Sequence, residues 1–358
     1  MSKARLFSPE FVLLLECCRW NFAASVNDRP TPPAAIDWAK LVQLARFHRV
    51  QALVWNALPK DSVPPEARPL AADAQLIAAN NLAIARECAG LQRNLTDHGL
   101  LHLFVKGLTV AALAYRSPML KMGWDIDLLI DPDDLAAVAE LLEDRGYGLR
   151  LPARRRDLER WHAGSKESVW SQPNGLHLEL HTRLTDNESL IPTVDVSSPI
   201  QVVHLSHDLA LPTLGPEELF AYLAVHGASS AWFRLKWISD FAALIECRTE
   251  IEMGELYRRS QKLGAGRSAG QALLLADRLF GSLESAPRLR VELETEPMTR
   301  VLVSGAMRMI GRRPVDPTDE WFGTFAIHWT QFLLLPGLRF KTGELRRQAM
   351  GLMRERLI

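Results

Sequence analysis

The sequence predicts an α+β fold in which a short strand-bearing middle, residues 99–210, separates an N-terminal helical region, 1–98, from a C-terminal helical domain, 211–358. Three observations carry this. Apolar residues recur every three or four positions through most of the first hundred residues and again beyond Pro216. Between those stretches, Asp125-Ile126-Asp127-Leu128-Leu129-Ile130 reads as a strand with an acidic edge. Further on, Leu176-His177-Leu178-Glu179-Leu180-His181 alternates strictly behind Pro173-Asn174-Gly175, and Asn-Gly is the strongest short signal for a tight hairpin.

Helices are expected at residues 8–20, 36–58 and 67–98, parted by the proline-containing segments Arg29 to Pro33 and Pro59 to Pro65. The third stops at His98-Gly99. Leu100 to Val105 is a compact apolar strand punctuated by Lys106-Gly107, Thr109 to Tyr115 a short helix, and Ser117-Pro118 a loop. Trp124 to Ile130 is the acidic strand. Asp131-Pro132 opens an amphipathic helix with Leu135, Val138, Ala139, Leu141 and Leu142 on one side, ending at Gly146. The hairpin arms are Ser168 to Gln172 and Leu176 to Leu184. Beyond the charged turn Glu217-Glu218, helices are expected at Leu219 to His226, Trp232 to Cys247 and Glu252 to Leu263, and within Ala265 to Leu283 and Pro297 to Ile310. Phe322 to Leu335 and Thr342 to Ile358 form a helical tail.

Composition narrows the function. The chain has 358 residues, 47% of them hydrophobic, enough for substantial cores. Lysine plus arginine equal aspartate plus glutamate at 42 each, so no overall field recruits nucleic acid or anionic membrane, and any phosphate binding is local. Cys17, Cys18, Cys88 and Cys247 show neither metal-ligand spacing nor a disulfide framework, which fits a reducing cytoplasm. The apolar stretch Phe11 to Leu15 is too short for an export signal, and no run approaches a bilayer span.

The chemistry sits in the acidic strand. Side chains at i and i+2 share a face, so Asp125 and Asp127 project together while Ile126 and Leu128 enter a core. Adjacent carboxylates repel, and a divalent cation relieves them; magnesium is the first expectation. His177, Glu179 and His181 share a face of the hairpin, offering a third carboxylate that would complete a metal triad. The two histidines are expected to line or edge the pocket, since one strand supplying all zinc ligands is not a usual arrangement. Arg145, Arg150, Arg154, Arg155, Arg156 and Arg160 read as a solvated basic face, Trp232 and Trp237 as packing residues, and His226 as a packed or hydrogen-bonded helix residue. Gly264 to Ala269 superficially fits a dinucleotide fingerprint but follows a helix, so it is rejected.

Lys106-Gly107, Tyr115, Asp125-x-Asp127, Glu179 and the segment His226 to Asp240 together resemble the bacterial nucleotidyltransferase family proteins of the DNA polymerase beta superfamily, over about residues 80 to 250. The resemblance implies a small mixed sheet flanked by helices as the catalytic core, followed by a helical domain that closes over the nucleotide. It implies that Asp125, Asp127 and Glu179 hold two magnesium ions, that Glu179 also deprotonates or orients the attacking hydroxyl, and that Gly107 admits the triphosphate to backbone amides. Lys106, Lys121, Arg234 and Lys236 are the phosphate candidates, with Lys236 preferred. Leu108 replaces a second small residue, and Lys121 stands where relatives carry arginine, keeping charge but losing bidentate geometry. The expected reaction transfers a nucleoside monophosphate from a nucleoside triphosphate to a hydroxyl of a small-molecule or peptide acceptor, not a long nucleic acid. A protein- or RNA-modifying, AMP-transferring relative and a non-catalytic binding protein are the alternatives.

Overall fold

The computed structural model describes residues 6–23, 28–115, 117–312, 314–320 and 323–355. The ends of two expected segments, at residues 1–5 and 356–358, and Phe322 lie outside the described residues. The N-terminal helices are α1 (Pro9–Trp20), α2 (Trp38–His48), α3 (Gln51–Ala57) and α4 (Pro69–Asp97). Then follow β1 (His102–Phe104), α5 (Leu108–Ala114), β2 (Asp125–Ile130), α6 (Leu135–Asp144), β3 (Gly148–Leu151), α7 (Leu158–His162), β4 (Glu167–Ser171), β5 (His177–His181), β6 (Ile200–Ser206) and β7 (Leu209–Leu214). The C-terminal helices are α8 (Pro216–Ser229), α9 (Leu235–Ile245), α10 (Glu250–Lys262), α11 (Gly266–Phe280), α12 (Pro287–Thr295), α13 (Pro297–Ile310), α14 (Phe325–Gln331) and α15 (Leu338–Glu355).

The α+β expectation holds, with a small mixed sheet among helices. Five strands run in the order β1-β2-β5-β4-β3, with β2 and β5 parallel and the other neighbours antiparallel. Alternation sets the two faces. Ile126, Leu128, Ile130, Leu178, Leu180 and Trp170 point to one side, where Ile84, Leu91, Val138 and Leu142 of α4 and α6 cover them. Asp125, Asp127, Glu179 and His181 occupy the other. A second apolar cluster runs from Phe11 and Leu14 through Phe241 and Leu274 to Phe340, so N-terminal and C-terminal helices share it.

The structure departs from expectation at instructive places. The expected helix 36–58 is two helices, because Arg49 takes a left-handed conformation (φ 58°) and ends α2. The strand β3 and the β6–β7 hairpin were not expected; Pro212 within β7 argues against a strand, yet it is tolerated here because this sheet has only two strands and both are edges. Helices α7 and α12 were also not expected.

Segment 226–232 folds back sharply. Trp232 has φ 54° and is fully buried, its ring lying on Gly227, where an added Cβ would come within 2.3 Å of ring carbons. Only a hydrogen fits there. Gly227→Ala is therefore expected to lower stability by about 1–3 kcal/mol, the usual cost of overpacking, read as a fall in the urea midpoint at unchanged slope.

Candidate active site

Strand pairing assembles the acidic face. In the parallel register Asp125 lies opposite His177, Asp127 opposite Glu179, and Leu129 opposite His181. On the far side of β5 the antiparallel register sets Glu167 opposite His181. Glu167 is thus a further carboxylate on this face. It lies one residue before the expected strand, which is why the hairpin reading missed it.

Cations and an imidazole hold these groups together. Lys106, just after β1, places Nζ 2.6 Å from Asp127 Oδ1 and 3.9 Å from Glu179 Oε2. His181 is wholly buried, its Nε2 3.2 Å from Asp127 Oδ1 and 3.5 Å from Glu179 Oε2, its Nδ1 3.4 Å from Glu167 Oε2. Lys166 pairs with Glu167. Burial alone would raise the proton affinity of Asp127, but the charge of Lys106 and the His181 hydrogen bond outweigh it and hold this carboxyl well below 3.8. Glu179 goes the other way: burial, then the neighbouring Asp127 and Glu167, raise it above its ordinary value. Burial and Lys166 lower His181, yet its bonds to Asp127 and Glu179 prevail and the net shift is upward.

A cavity of about 250 Å³ opens over this face. Its walls include Asp125, Lys106, Gly107, Lys121, Lys236 and Arg49. Gly107 has φ 64° and ψ −124°, which side-chain-bearing residues avoid, and a Cβ would meet only Asp125 O at 3.7 Å; backbone conformation, not space, requires glycine. Lys121 Nζ is 3.3 Å from Asp240 Oδ2, and the Tyr115 hydroxyl donates to Asp240 Oδ1 at 2.9 Å. Asn81 and Asn80 of α4 fix the loop before β2 by donating to the carbonyls of Lys121 and Gly123 at 2.7 and 2.6 Å. Lys236, in the first turn of α9, is pushed down to about 7 by burial and by the charges of Lys121 and Arg49. His226 is held well below its ordinary value by burial and then by Lys106 and Lys166, and packs edge-on against Trp237 at 5.8 Å.

Sequence expectations sort accordingly. Asp125, Asp127, Glu179, Lys106, Gly107, Lys121 and Lys236 meet in the one cavity. Arg234 does not: its guanidinium donates to Phe47 O at 2.8 Å, pairs with Asp316 at 2.5 Å and lies over the Phe47 and Phe233 rings. Arg49, Lys166, Glu167 and Asp240 were not singled out. Only Glu167 left a signal, since hairpin register counted from Asn174-Gly175 leads to it. His177 is exposed beside Asp125, whereas His181 lies beneath the site. Trp232 packs as expected, while Trp237 lines the cavity. Several arginines of the basic cluster are engaged, Arg145 with Glu87, Arg154 with Asp157 and Arg155 with Glu143. Leu108 packs beneath the sheet.

Among the described residues, Asp127, Glu179 and His181 bring donor atoms within 4.8 Å of one another and could hold a metal ion. Asp125, expected in that set, lines the same cavity from the first position of β2 and makes no salt bridge among the described residues. Fold and site together define a class: a largely helical protein around a small mixed sheet that gathers carboxylates and a histidine at a candidate metal centre. The chain belongs to the family described as uncharacterised nucleotidyltransferase, which matches residues 34–281 and so includes the whole sheet and the cavity walls named above. No curated protein matches the sequence. No helix among the described residues is long and apolar enough to cross a membrane.

The Lys106–Asp127 pair makes a stability prediction. Because the folded carboxyl is depressed, its contribution is complete above the unfolded value near 3.8 and is lost as pH falls through the folded one. In metal-free protein Lys106→Met is expected to cost roughly 3 kcal/mol at pH 7, by urea unfolding, because it strands a buried charge. The gap from wild type should narrow as the pH drops below 3.8. A gap independent of pH would assign the loss to packing.

Proposed function

We propose that the protein is a magnesium-dependent nucleotidyltransferase, moving a nucleoside monophosphate from a nucleoside triphosphate to a hydroxyl of a small-molecule or peptide acceptor with release of pyrophosphate. The observation that carries this reading is the in-register pairing of Asp127 with Glu179, beside Asp125, in a cavity whose other walls bring Lys121, Lys236 and Arg49. Carboxylates on one wall and cations on another are what a metal-bound triphosphate needs. On this reading residues 99–210 are the catalytic core, 1–98 an N-terminal helical region, and 211–358 a helical domain that supplies Lys236.

The donor set suits a hard cation. Carboxylate oxygens of Asp125, Asp127 and Glu179 match magnesium, whereas the imidazole of His181 serves better by donating to Asp127 and Glu179 and fixing their oxygens. When bound, magnesium would neutralise charge building on the attacking and leaving oxygens. The remaining work falls to side chains. Glu179, with raised proton affinity, accepts the proton of the acceptor hydroxyl as its oxygen bonds to the α-phosphorus. Lys121 and Lys236 receive the phosphates, and Gly107 lets the backbone approach them. Lys106 acts at the carboxylates, holding Asp127 and Glu179 in place.

Asp125→Asn and Asp127→Asn should each cut nucleotide-dependent pyrophosphate release by at least about a hundredfold, the loss of several kcal/mol of charge stabilisation, with the protein still folded. Turnover undiminished in both variants would end this reading.

Lys236 adds a pH signature. With its value near 7 it is mostly neutral at pH 8, and a bound triphosphate draws that value upward. Calorimetry of magnesium–nucleotide binding in buffers of different ionisation heat should then show uptake of about one proton at pH 8 and almost none at pH 6. Affinity should fall as pH rises above 7, and Lys236→Met should abolish the uptake. Equal uptake in that variant would place the proton elsewhere.

A further inference from the structure

Lys106 stands where the resemblance to the superfamily would put a metal ion. Its Nζ lies 2.6 Å from Asp127 Oδ1 and 3.9 Å from Glu179 Oε2, and its side chain is only 15% exposed. The His181 Nε2 approaches the same two oxygens, at 3.2 and 3.5 Å. Each of these oxygens therefore already faces two nitrogen donors. The place between Asp127 and Glu179 has a cation of the chain's own.

The backbone builds this position. Val105 N–H donates to Asp127 O at 3.1 Å, which carries the pairing of β1 with β2 up to the residue before Lys106. The Thr109 hydroxyl lies 3.0 Å from both Phe104 O and Lys106 O and closes the turn around it. Lys106 thus leaves the chain directly beside Asp127. Its ammonium has no better place to go, because its other polar neighbours are Tyr222, Lys166 and His226, and Glu167 is already paired with Lys166. Driven off Asp127, it would be a buried charge beside a like charge, without a counterion. Charge balance points the same way. Asp125, Asp127, Glu167 and Glu179 bring four carboxyl groups to this face, and Lys106 and Lys166 bring two ammonium groups. The difference is at most two negative charges, which is what a single divalent ion neutralises; protons on Glu179 or His181 only shrink it. The charges of a triphosphate would be met across the cavity by Lys121, Lys236 and Arg49.

We propose that the site takes one divalent ion, held by Asp125 and Asp127, and that the Lys106 ammonium fills the position of a second ion between Asp127 and Glu179. The contacts of Lys106 and His181 with Asp127 both fall on Oδ1, which leaves Oδ2 for an ion. Asp125 makes no salt bridge among the described residues and stands two residues away on the same face of β2, about 6.6 Å along the strand. Two aspartates at that spacing can converge on one ion. The proposal deepens the nucleotidyl-transfer reading and rests on it for the reaction: Lys106 supplies a fixed positive charge beside Glu179, and a single ion suffices. It replaces the pair of magnesium ions that the resemblance implies.

The test counts ions on the full-length protein without nucleotide. Manganese(II) is the probe, since it shares magnesium's preference for oxygen ligands and its paramagnetic resonance separates free from bound ion. Wild type should bind one equivalent. Asp125→Asn should weaken that binding at least about tenfold, a direct ligand counting for no less than an outer-shell partner, while Glu179→Gln should keep it. Lys106→Met, checked for folding by circular dichroism, should bind two equivalents, whose separation of roughly 3.5–4 Å broadens the bound signal; adding Glu179→Gln should remove the second. Two equivalents in wild type, or none, would overturn the proposal. So would a single ion lost in Glu179→Gln but kept in Asp125→Asn, or a folded Lys106→Met protein that gains no second ion. If Lys106→Met does not fold, wild type and the two carboxylate variants decide alone. Pyrophosphate release from nucleoside triphosphate, measured on the same wild-type sample, reports on the proposed function: its absence beside one bound ion removes that reading and leaves the ion count standing, and release beside two bound ions does the reverse.

Discussion

Parallel pairing of β2 with β5 is the constraint that the rest of this molecule answers. It sets Asp127 directly opposite Glu179 and leaves Glu167 one strand further on, all on one half-buried face. Like charges about 4 Å apart repel by roughly 4 kcal/mol at the effective dielectric of a protein surface. Such a face cannot be left uncompensated. Lys106, Lys166 and His181 converge on it for that reason, and the opposite shifts of Asp127 and Glu179 follow from which carboxylate lies nearer the ammonium. Two chemically similar groups thereby differ in proton affinity, Asp127 held low and Glu179 raised.

The helices bring the other half of the electrostatics. Arg49 reaches the cavity because α2 ends at a left-handed residue, and Lys236 because α9 begins at the cavity wall. Alpha9 is fixed to the sheet-bearing part of the chain through Asp240, which takes hydrogen-bonding partners from Tyr115 and Lys121 on the other side of the cavity. Since one apolar cluster joins the N-terminal and C-terminal helices, the spacing of these cations is set by the same packing that holds the fold. Crowding among Lys121, Arg49 and Lys236 in a buried setting is what brings Lys236 near neutrality.

Polar groups also meet where the loop after β5 faces α15. Asn187 donates to the buried Glu344 at 3.0 Å, and Arg347 and Gln348 meet the same carboxylate. Burial raises the proton affinity of Glu344, but these bonds overcome it and leave the carboxyl below its ordinary value. A buried charged network at this place ties α15 to the loop after β5, so the tail helix belongs to the walls of the site region and not merely to the periphery.

Local pattern made the acidic strand, the Asn-Gly hairpin, most of the helices and the family resemblance legible, because each depends on neighbours within a few residues. Asp125, Asp127 and Glu179 could be named from alternation alone, and Lys106, Gly107, Lys121 and Lys236 from the resemblance; all line one cavity. Arg234 shows the limit: two residues from Lys236, it faces Phe47 and Asp316, since adjacent turns of chain point different ways and only packing chooses between them. Glu167 escaped because strand ends are set by partners, not by the strand's own residues. Arg49, Lys166 and Asp240 escaped because nothing local distinguishes a cation or carboxylate aimed at a distant cavity from one aimed at solvent. The sequence by itself thus determined which strands carry charge and which face they show. Tertiary structure alone decided the register that opposes Asp127 to Glu179, the partner that sets each proton affinity, and the replacement of Asp125 by His181 in the converging cluster, because those depend on distances between residues far apart in the chain.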